Sequence, residues 1–253
     1  MIILIFFIAL WYSSLFCQTF FHHRYGAHGA FKMSKGWEKF FFILSFITQG
    51  SSYLSPRAYA IMHRMHHAYT DTEDDPHSPQ YSKNLFDMMM QTWKSYAGIL
   101  NNTTPVDKKF TKNVPDWPVF DKIVGTRAVR IMWAIIYLLI FIKFSTSPWQ
   151  YLFFPFVILM APVHGAIVNW YAHRYGYQNF EVKNTSSNLL GFDFLMLGES
   201  YHNNHHKNPS SINFGKKWHE FDPIYPIIKL FAFLHIIQLP KNNVTFAGGD
   251  GVW

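Results

Sequence analysis

Three long stretches of the chain are almost free of charged side chains, and polar segments separate them. They cover about residues 2–21, 127–146 and 149–168. At about 1.5 Å per residue, twenty helical residues cross a hydrocarbon layer of roughly 30 Å. We therefore predict three transmembrane helices, and the second and third should form a hairpin at Pro148.

The charged and proline residues within these stretches are compatible with spanning helices. Arg127 and Arg130 at one end of the second stretch, and Lys143 at the other, can extend to the membrane surface. Pro155 and Pro162 are expected to kink the third helix without stopping it from crossing. The alternative for the first stretch is a signal peptide, which is disfavoured because no basic segment precedes it and no small-residue cleavage site follows it.

Two shorter apolar stretches, residues 40–48 and 224–239, are predicted to lie in the membrane interface. With three spans, residues 22–126 and 169–253 then share one side of the membrane. Most lysines and arginines fall on that side, so it should be cytoplasmic. We predict one all-α domain over residues 1–253, an integral membrane protein with interfacial helices and a cytoplasmic histidine-rich cap. The glycine-rich end, 242–253, should be loosely held.

Composition supports a partly lipid-embedded chain. Charged residues make up 15% of the sequence, against roughly 25% in soluble domains. The net charge of +7 predicts a basic face beside the membrane, and no segment resembles a nucleic-acid-binding module. Cys17 is the one cysteine, so an intramolecular disulfide and a thiolate metal site are excluded.

Histidine is the unusual residue, with 14 copies, and most of them occur in four groups. The groups are His23 with His28; His63, His66 and His67; Asn169 with His173; and His202, His205 and His206. On an α-helix, residues three or four apart share a face, whereas adjacent residues diverge by about 100°. Each H-x-x-H-H motif can therefore serve two metal ions. His23 and His28, five apart, should also diverge and could each reach a different ion.

Nine imidazoles exceed the coordination sphere of one ion, so at least two ions are expected. Imidazole suits iron, zinc, copper and nickel, and the spacing alone does not choose among them. The scarcity of carboxylate ligands distinguishes this set from the soluble carboxylate-bridged di-iron bundles.

The four groups resemble the histidine motifs of the integral-membrane fatty-acid desaturases of the acyl-CoA Δ9 type, in the bacterial form. The similarity covers H-R-Y-G-A-H from His23, H-R-M-H-H-A-Y-T-D-T-E-D-D-P-H from His63, Asn169 with His173, and G-E-S-Y-H-N-N-H-H from Gly198. It implies two iron ions (Fe²⁺) held by all nine histidines, with Asn169 holding a water ligand. Animal members have two spans before the first motif, and this chain has room for one.

Five histidines stand outside the nine. His22 is expected to yield to His23 as a ligand, His77 to lie behind the ligands, and His164 to be a hydrogen-bonded helix residue. His219 and His235 should be at the surface or the interface. Ligating histidines usually donate their second N–H to a carboxylate or carbonyl, and Asp71, Asp75 and Glu199 are the candidates.

Substrate contacts are harder to predict from the sequence. Trp170, Tyr171 and Trp218 could line an acyl tunnel, and interface anchoring explains each of them equally well. Arg57, Lys207, Lys216 and Lys217 are possible phosphate contacts, although each could simply be solvated.

The resemblance implies desaturation of a fatty-acyl chain, with acyl-CoA as the substrate and O₂ as the co-substrate. The sequence contains no haem, flavin or iron–sulfur motif, so electrons should come from a separate ferredoxin or cytochrome b5 type of carrier. The alternatives are a membrane di-iron hydroxylase and a non-catalytic membrane metal-binding protein. Transporters usually place their ligands within spans near the midplane, unlike these groups at span ends and in loops.

Overall fold

A computed structural model describes residues 1–240 of the 253-residue chain, and the predicted loose end at 242–253 lies outside the described residues. The described part is mostly helical. Its helices are α1 Ile2–Phe16, α2 Lys35–Gln49, α3 Pro56–Tyr69, α4 Leu85–Leu100, α5 Lys108–Thr111, α6 Pro118–Val124, α7 Arg127–Phe144, α8 Phe154–Ile158, α9 Met160–Ala166, α10 His202–Lys207 and α11 Ile224–Phe233. Two π-helices, Cys17–Ala27 and Ile167–Tyr171, continue α1 and α9, and 3₁₀ turns cover Gly50–Ser52 and Pro148–Phe153.

Five of these eleven helices begin at a capping side chain. The Ser34, Ser55 and Thr126 hydroxyls accept backbone N–H groups of the first turns of α2, α3 and α7. Asn84 and Asp107 do the same for α4 and α5. Such caps satisfy N–H groups that have no partner within the helix.

The chain also forms one small sheet, which the all-α prediction did not include. Strands β1, Lys32–Met33, and β2, Ile237–Gln238, pair antiparallel, with Lys32 opposite Gln238. The pair connects the segment before α2 with the segment after α11. Both helices also contribute to a buried aromatic and aliphatic cluster that includes Phe20, Phe41 and Ile228.

The predicted first span forms a longer helix than expected. Residues 2–27 are continuously helical because α1 runs directly into the first π-helix, so the first histidine motif lies inside this helix rather than after it. It is the one helix among residues 1–240 that is long and apolar enough to cross a membrane unbroken.

The two other predicted spans correspond to bent helix pairs. Segments Pro118–Val124 and Arg127–Phe144 meet at 56°, and α7 itself starts at the predicted residue. Residues 149–168 do not form one helix: segments Pro148–Ile158 and Met160–Tyr171 meet at 76° around Leu159. The kink expected from the prolines is therefore a break. Counting each pair as one span gives up to three spans, and the number of spans remains a prediction.

The histidine-bearing elements pack around the end of the first long helix. Helix α3 lies against the π-helix Cys17–Ala27, and a cluster of Ala58, Ile61 and Tyr96 joins α3 to α4. At the other end, Ile3 packs with Tyr137 and Val157, which connects α1 to α7 and α8. The histidine-bearing elements therefore meet at the end of the first long helix.

Candidate metal centre

The first pair of histidines is held by the π-helix Cys17–Ala27. Here the backbone N–H of His28 donates to the carbonyl of His23, five residues earlier, at 3.1 Å. A π-helix has the i→i+5 hydrogen-bond pattern, so residues five apart come onto nearly one face. His23 and His28 therefore join the same histidine group, and the prediction that they could each reach a different ion is wrong. The sequence argument assumed α-helical geometry, which would have separated them.

The two H-x-x-H-H motifs lie on α3 and α10 and divide their side chains as the spacing predicted. On α3, His63 and His67 face one group, while His66 faces the other. On α10, His202 and His206 face the second group, and His205 faces the first. The residues four apart share a group in each case, and the adjacent pair separates. His173, just after the second π-helix, completes the second group.

The nine histidines thus form two groups whose ring nitrogens converge. The five-histidine group contains His23, His28, His63, His67 and His205, and the four-histidine group contains His66, His173, His202 and His206. Within each group the candidate ligand atoms lie within 4.8 Å of one another. The rings of His67 and His206 stack at 4.4 Å, so the two groups adjoin.

The distances between nitrogens suit a metal ion at the centre of each group. In the five-histidine group the Nε2 of His67 lies 3.0 Å from that of His63 and 2.8 Å from that of His205. In the four-histidine group the Nε2 of His202 lies 3.0 Å from those of His173 and His206. Two nitrogens at roughly 2.1 Å from one ion are about 3.0 Å apart at right angles and about 3.4 Å apart in a tetrahedron. These values are close to the right-angle separation, and the 3.3 Å between the Nε2 atoms of His66 and His206 is close to the tetrahedral one.

Burial favours the neutral form, which is the form that binds a metal, in seven of these imidazoles. Desolvation holds the pKa of every histidine on α3 and α10 well below its usual value of 6.5, and the charges of neighbouring histidines lower each pKa further. The pKa of His28 is well below that value for the same reasons. A neutral imidazole presents a lone pair to a metal, so these seven donors fit bound cations without any change of protonation.

Carboxylates contact the outer nitrogen of three of these rings. Glu199 Oε2 lies 2.7 Å from His23 Nδ1, and Asp75 Oδ1 lies 2.9 Å from His66 Nδ1. Asp71 Oδ1 is 3.9 Å from His173 Nδ1. Such contacts fix the ring orientation and direct Nε2 towards the metal. All three predicted carboxylates therefore stand behind histidines of the two groups.

A buried arginine organises the carboxylates near the five-histidine group, and sequence reasoning missed it. Arg24 places one guanidinium nitrogen 2.7 Å from Asp222 and another 3.3 Å from Glu199, and it also contacts Thr19. Its guanidinium lies 3.8 Å above the centre of the Phe214 ring. Burial alone would raise the pKa of Glu199, but the charges of His23 and Arg24 bring that pKa below its ordinary value. An arginine beside the first histidine was the available signal.

Two side chains on the second half of the chain also support the four-histidine group without having been predicted. The amide nitrogen of Asn184 lies 3.2 Å from His206 Nδ1. The Thr185 hydroxyl lies 3.3 Å from His173 Nδ1 and 2.9 Å from Asp71. Their segment has no regular structure, and isolated polar residues in a loop carried no recognisable pattern.

The remaining histidines mostly lie where they were expected. His22 is buried but faces Tyr59, with ring centroids 5.6 Å apart, and belongs to neither group. His77 stacks on His66 at 4.2 Å, behind the ligand set. His219 and His235 are exposed. His164 is buried edge-on against Trp11, but within residues 1–240 its ring nitrogens have no hydrogen-bond partner, so that part of the prediction is wrong.

The predicted substrate residues and Asn169 do not contact either group. Trp170 stacks with Arg174 at 4.1 Å, Tyr171 is partly exposed, and Trp218 is 98% exposed. The Arg57 guanidinium lies 3.9 Å from Asp116. Asn169 sits in the second π-helix, half buried, and among the described residues its amide makes no hydrogen bond to the nine histidines. The roles assigned to these five residues stay predictions.

A polar cavity of about 500 Å³ opens beside the four-histidine group. It is lined by Gln80, His173, Arg174, Tyr175, Gln178, Asn184, Thr185 and Ser187. A polar lining suits water and ions rather than an acyl chain, so we do not assign it to the apolar part of a substrate.

Comparison with known proteins agrees with this geometry. The family model for fatty acid desaturases matches residues 1–236. A Delta-9 desaturase-like 4 protein of Arabidopsis thaliana is 30% identical over 236 residues, covering 88% of this chain and 72% of its own. The sn-1 stearoyl-lipid 9-desaturase of Anabaena variabilis is 27% identical, covering 87% and 75%. A hex-5-enoyl-[acyl-carrier protein] acetylenase of Moorena producens is 27% identical, covering 87% and 71%.

The family is membrane-associated, uses iron and acts on fatty-acyl chains, in accord with the apolar first helix and the two histidine groups. The match extends over nearly all of the described residues. This chain belongs to the fatty acid desaturase family.

Proposed function

We propose that this protein introduces a cis double bond into a fatty-acyl chain, using O₂, external electrons and two iron ions held by its histidines. The observation that carries the proposal is the convergence of nine imidazoles into two adjoining groups. Family membership supports fatty-acyl desaturation as the reaction. The catalytic face is proposed to be cytoplasmic, on a multi-pass membrane protein.

The two groups would offer different coordination to their ions. The five-histidine group would hold one ion and the four-histidine group the other, and Asn169 would hold a water at the second. When bound and reduced, two irons supply the O₂-dependent oxidising power that no protein side chain has. The outer carboxylates, Glu199 and Asp75, hold His23 and His66 in orientation, so the chain itself supplies a rigid frame.

The protein's second task is to position one methylene pair of the substrate beside this frame. Positioning selects the bond that reacts, because a fixed geometry replaces a random encounter. We expect an apolar channel between the spanning segments to do this, with Trp170 and Tyr171 as candidate wall residues.

The acyl carrier is proposed to be coenzyme A, with Arg57, Lys207, Lys216 and Lys217 as candidate phosphate contacts. The names of two relatives indicate other carriers, a lipid for the Anabaena protein and an acyl-carrier protein for the Moorena protein. The electron donor is proposed to be an acidic ferredoxin or cytochrome b5, which a chain of net charge +7 would attract.

The test is expression in a host that lacks unsaturated acyl chains, followed by lipid analysis for new double bonds and their positions. We expect a cis-monounsaturated product from the wild type and none from His66→Ala or His202→Ala, which should also bind less iron. His235→Ala is the matched control, because His235 is exposed and far from both groups in the sequence. A hydroxylated product would show that the protein is a hydroxylase and not a desaturase. Labile zinc without O₂-dependent activity would favour a non-catalytic metal-binding protein.

A further inference from the structure

An exposed aromatic surface lies in the part of the chain between His173 and His202. The sequence pattern predicts no membrane segment there. The Phe192 and Phe194 rings are 4.8 Å apart, and each lies near Phe221, at 6.3 and 5.7 Å. These three rings are 59%, 48% and 44% exposed, and neighbouring Leu195 is 52% exposed. A contiguous apolar patch of this kind normally meets a partner or a membrane.

The contacts of Leu195 and Met196 with the first helix show at which level of the membrane this surface would lie. The Trp11 indole N–H donates to the carbonyl of Leu195 at 3.1 Å. Met196 is buried in one cluster with Trp11, Leu15 and Met160. Trp11 is about 13 Å along the helix from Ile2, near the middle of a hydrocarbon layer of roughly 30 Å.

Met160, in the same cluster, directly follows the break at Leu159 between the two bent segments of the predicted third span. Residues 195–196 therefore contact the central part of the first predicted span, rather than its end near the histidines. From there the chain returns to Glu199, which contacts His23 and Thr19 at the end of the first helix.

Part of the backbone around the segment is paired internally. The buried carboxylate of Asp193 accepts the N–H groups of Met196, Gly198 and Ser200 at 2.7, 2.9 and 3.0 Å. The N–H of Asp193 in turn donates to the Tyr201 hydroxyl at 3.1 Å. These four bonds remove the cost of leaving those N–H groups unpaired in a non-polar environment.

Basic and aromatic residues follow at the base of the loop. Trp218 is almost fully exposed, exposed Lys216 and Lys217 precede it, and the His219 ring lies beside Gly191. Tryptophan and lysine are typical of the boundary between hydrocarbon and headgroups.

We propose that residues 191–197 form a loop that inserts Phe192, Phe194 and Leu195 into the acyl-chain layer of the bilayer. The occupant of the aromatic surface is lipid hydrocarbon. The proposal goes beyond desaturation and rests on the predicted span over residues 2–21.

The test uses single spin labels on the full chain in a Cys17→Ala background, reconstituted into phosphatidylcholine–phosphatidylglycerol nanodiscs. Leu195→Cys is the test position. Ile5→Cys, exposed on the first helix, is the lipid control, and Lys183→Cys, an exposed loop position, is the water control. Collision with O₂, which dissolves in hydrocarbon, is compared with collision with a water-soluble nickel chelate. The iron content of each protein verifies its folding.

We expect the label at Leu195 to have an oxygen-to-nickel ratio at least as high as that of the label at Ile5, and higher than that of the label at Lys183. A ratio like that of Lys183, with Ile5 still in lipid, would overturn the insertion. Protection from both reagents would also overturn it, because a second protein chain would then cover the surface. Access of the nickel chelate to the label at Ile5 would show that residues 2–21 do not span the membrane, and it would overturn the proposal as well. None of these outcomes depends on desaturase activity.

Discussion

Neutralising the carboxylate that contacts one histidine should weaken the binding of one metal ion and leave the binding of the other nearly unchanged. The change is Glu199→Gln, which keeps the size of the side chain and removes its charge. Glu199 Oε2 is 2.7 Å from Nδ1 of His23, and His23 belongs to the five-histidine group alone. The four-histidine group has its own carboxylate, because Asp75 contacts His66 at 2.9 Å.

The size of the effect follows from the role of an outer carboxylate. Loss of such a partner typically lowers metal affinity 10- to 100-fold, about 1.4 to 2.7 kcal/mol. Only one of the five imidazoles loses its support, and Arg24 keeps its contact with Asp222 at 2.7 Å, so the remaining frame should hold. We expect the dissociation constant of one ion to rise by about this factor.

The assay is anaerobic loading of purified protein with Fe²⁺, followed by titration with a chelator and measurement of retained iron per chain. Wild-type protein should release its ions at high chelator concentration. Glu199→Gln should release one ion early and the second near the wild-type concentration. Asp75→Asn is the matched variant, and it should produce the same two-step release through the other group.

The double variant distinguishes separate groups from a single pooled site. If the groups are independent, the two losses should add, because substitutions without shared partners usually do. Wild-type retention of both ions in Glu199→Gln would refute the assigned contact. Simultaneous early release of both ions in each single variant would refute the division of the histidines into two groups.

Three further outcomes are expected. Arg24→Met should strongly destabilise the protein, by about 3–5 kcal/mol, because it leaves the buried carboxylates of Glu199 and Asp222 without their cation, and the thermal midpoint in detergent would measure this. Gly50→Ala should cost about 2 kcal/mol or more by the same measurement, since its φ of +50° is unfavourable and a Cβ would lie 1.8 Å from the Tyr137 hydroxyl. Metal-free protein should lose stability as the pH falls below about 6.5. The buried histidines on α3 and α10 have lowered pKa values and stay unprotonated there, whereas the same histidines in the unfolded chain bind protons. A thermal midpoint equal at pH 7.5 and 5.5 would contradict this.

The sequence predicted which nine histidines converge better than the geometry of the backbone that carries them. The H-x-x-H-H spacing determines which rings share a face, and His66 and His67 do diverge into different groups as α-helical geometry requires. The five-residue separation of His23 and His28 was misread because the π-helix is imposed by packing and local hydrogen bonds, and no composition rule identifies it.

Long-range contacts were the other limit of the sequence. Glu199 could be proposed as a partner because it is close to His202 in the chain, but its contact with His23 joins residues 176 positions apart. The same holds for Arg24 and Asp222, which pair across the fold. The break at Leu159 was anticipated only as a proline kink, because residue pattern reports apolar length and not the angle between segments.

The wide turn of residues 17–27 makes backbone shape and metal occupancy depend on each other. In an α-helix, residues five apart point about 140° away from each other, so tightening this helix would turn His28 away from His23. An ion bound by both rings would resist that tightening, and the π form in turn keeps both rings available. Hydrogen exchange at the amides of this segment therefore offers a way to follow metal loading at the end of the membrane helix without any substrate.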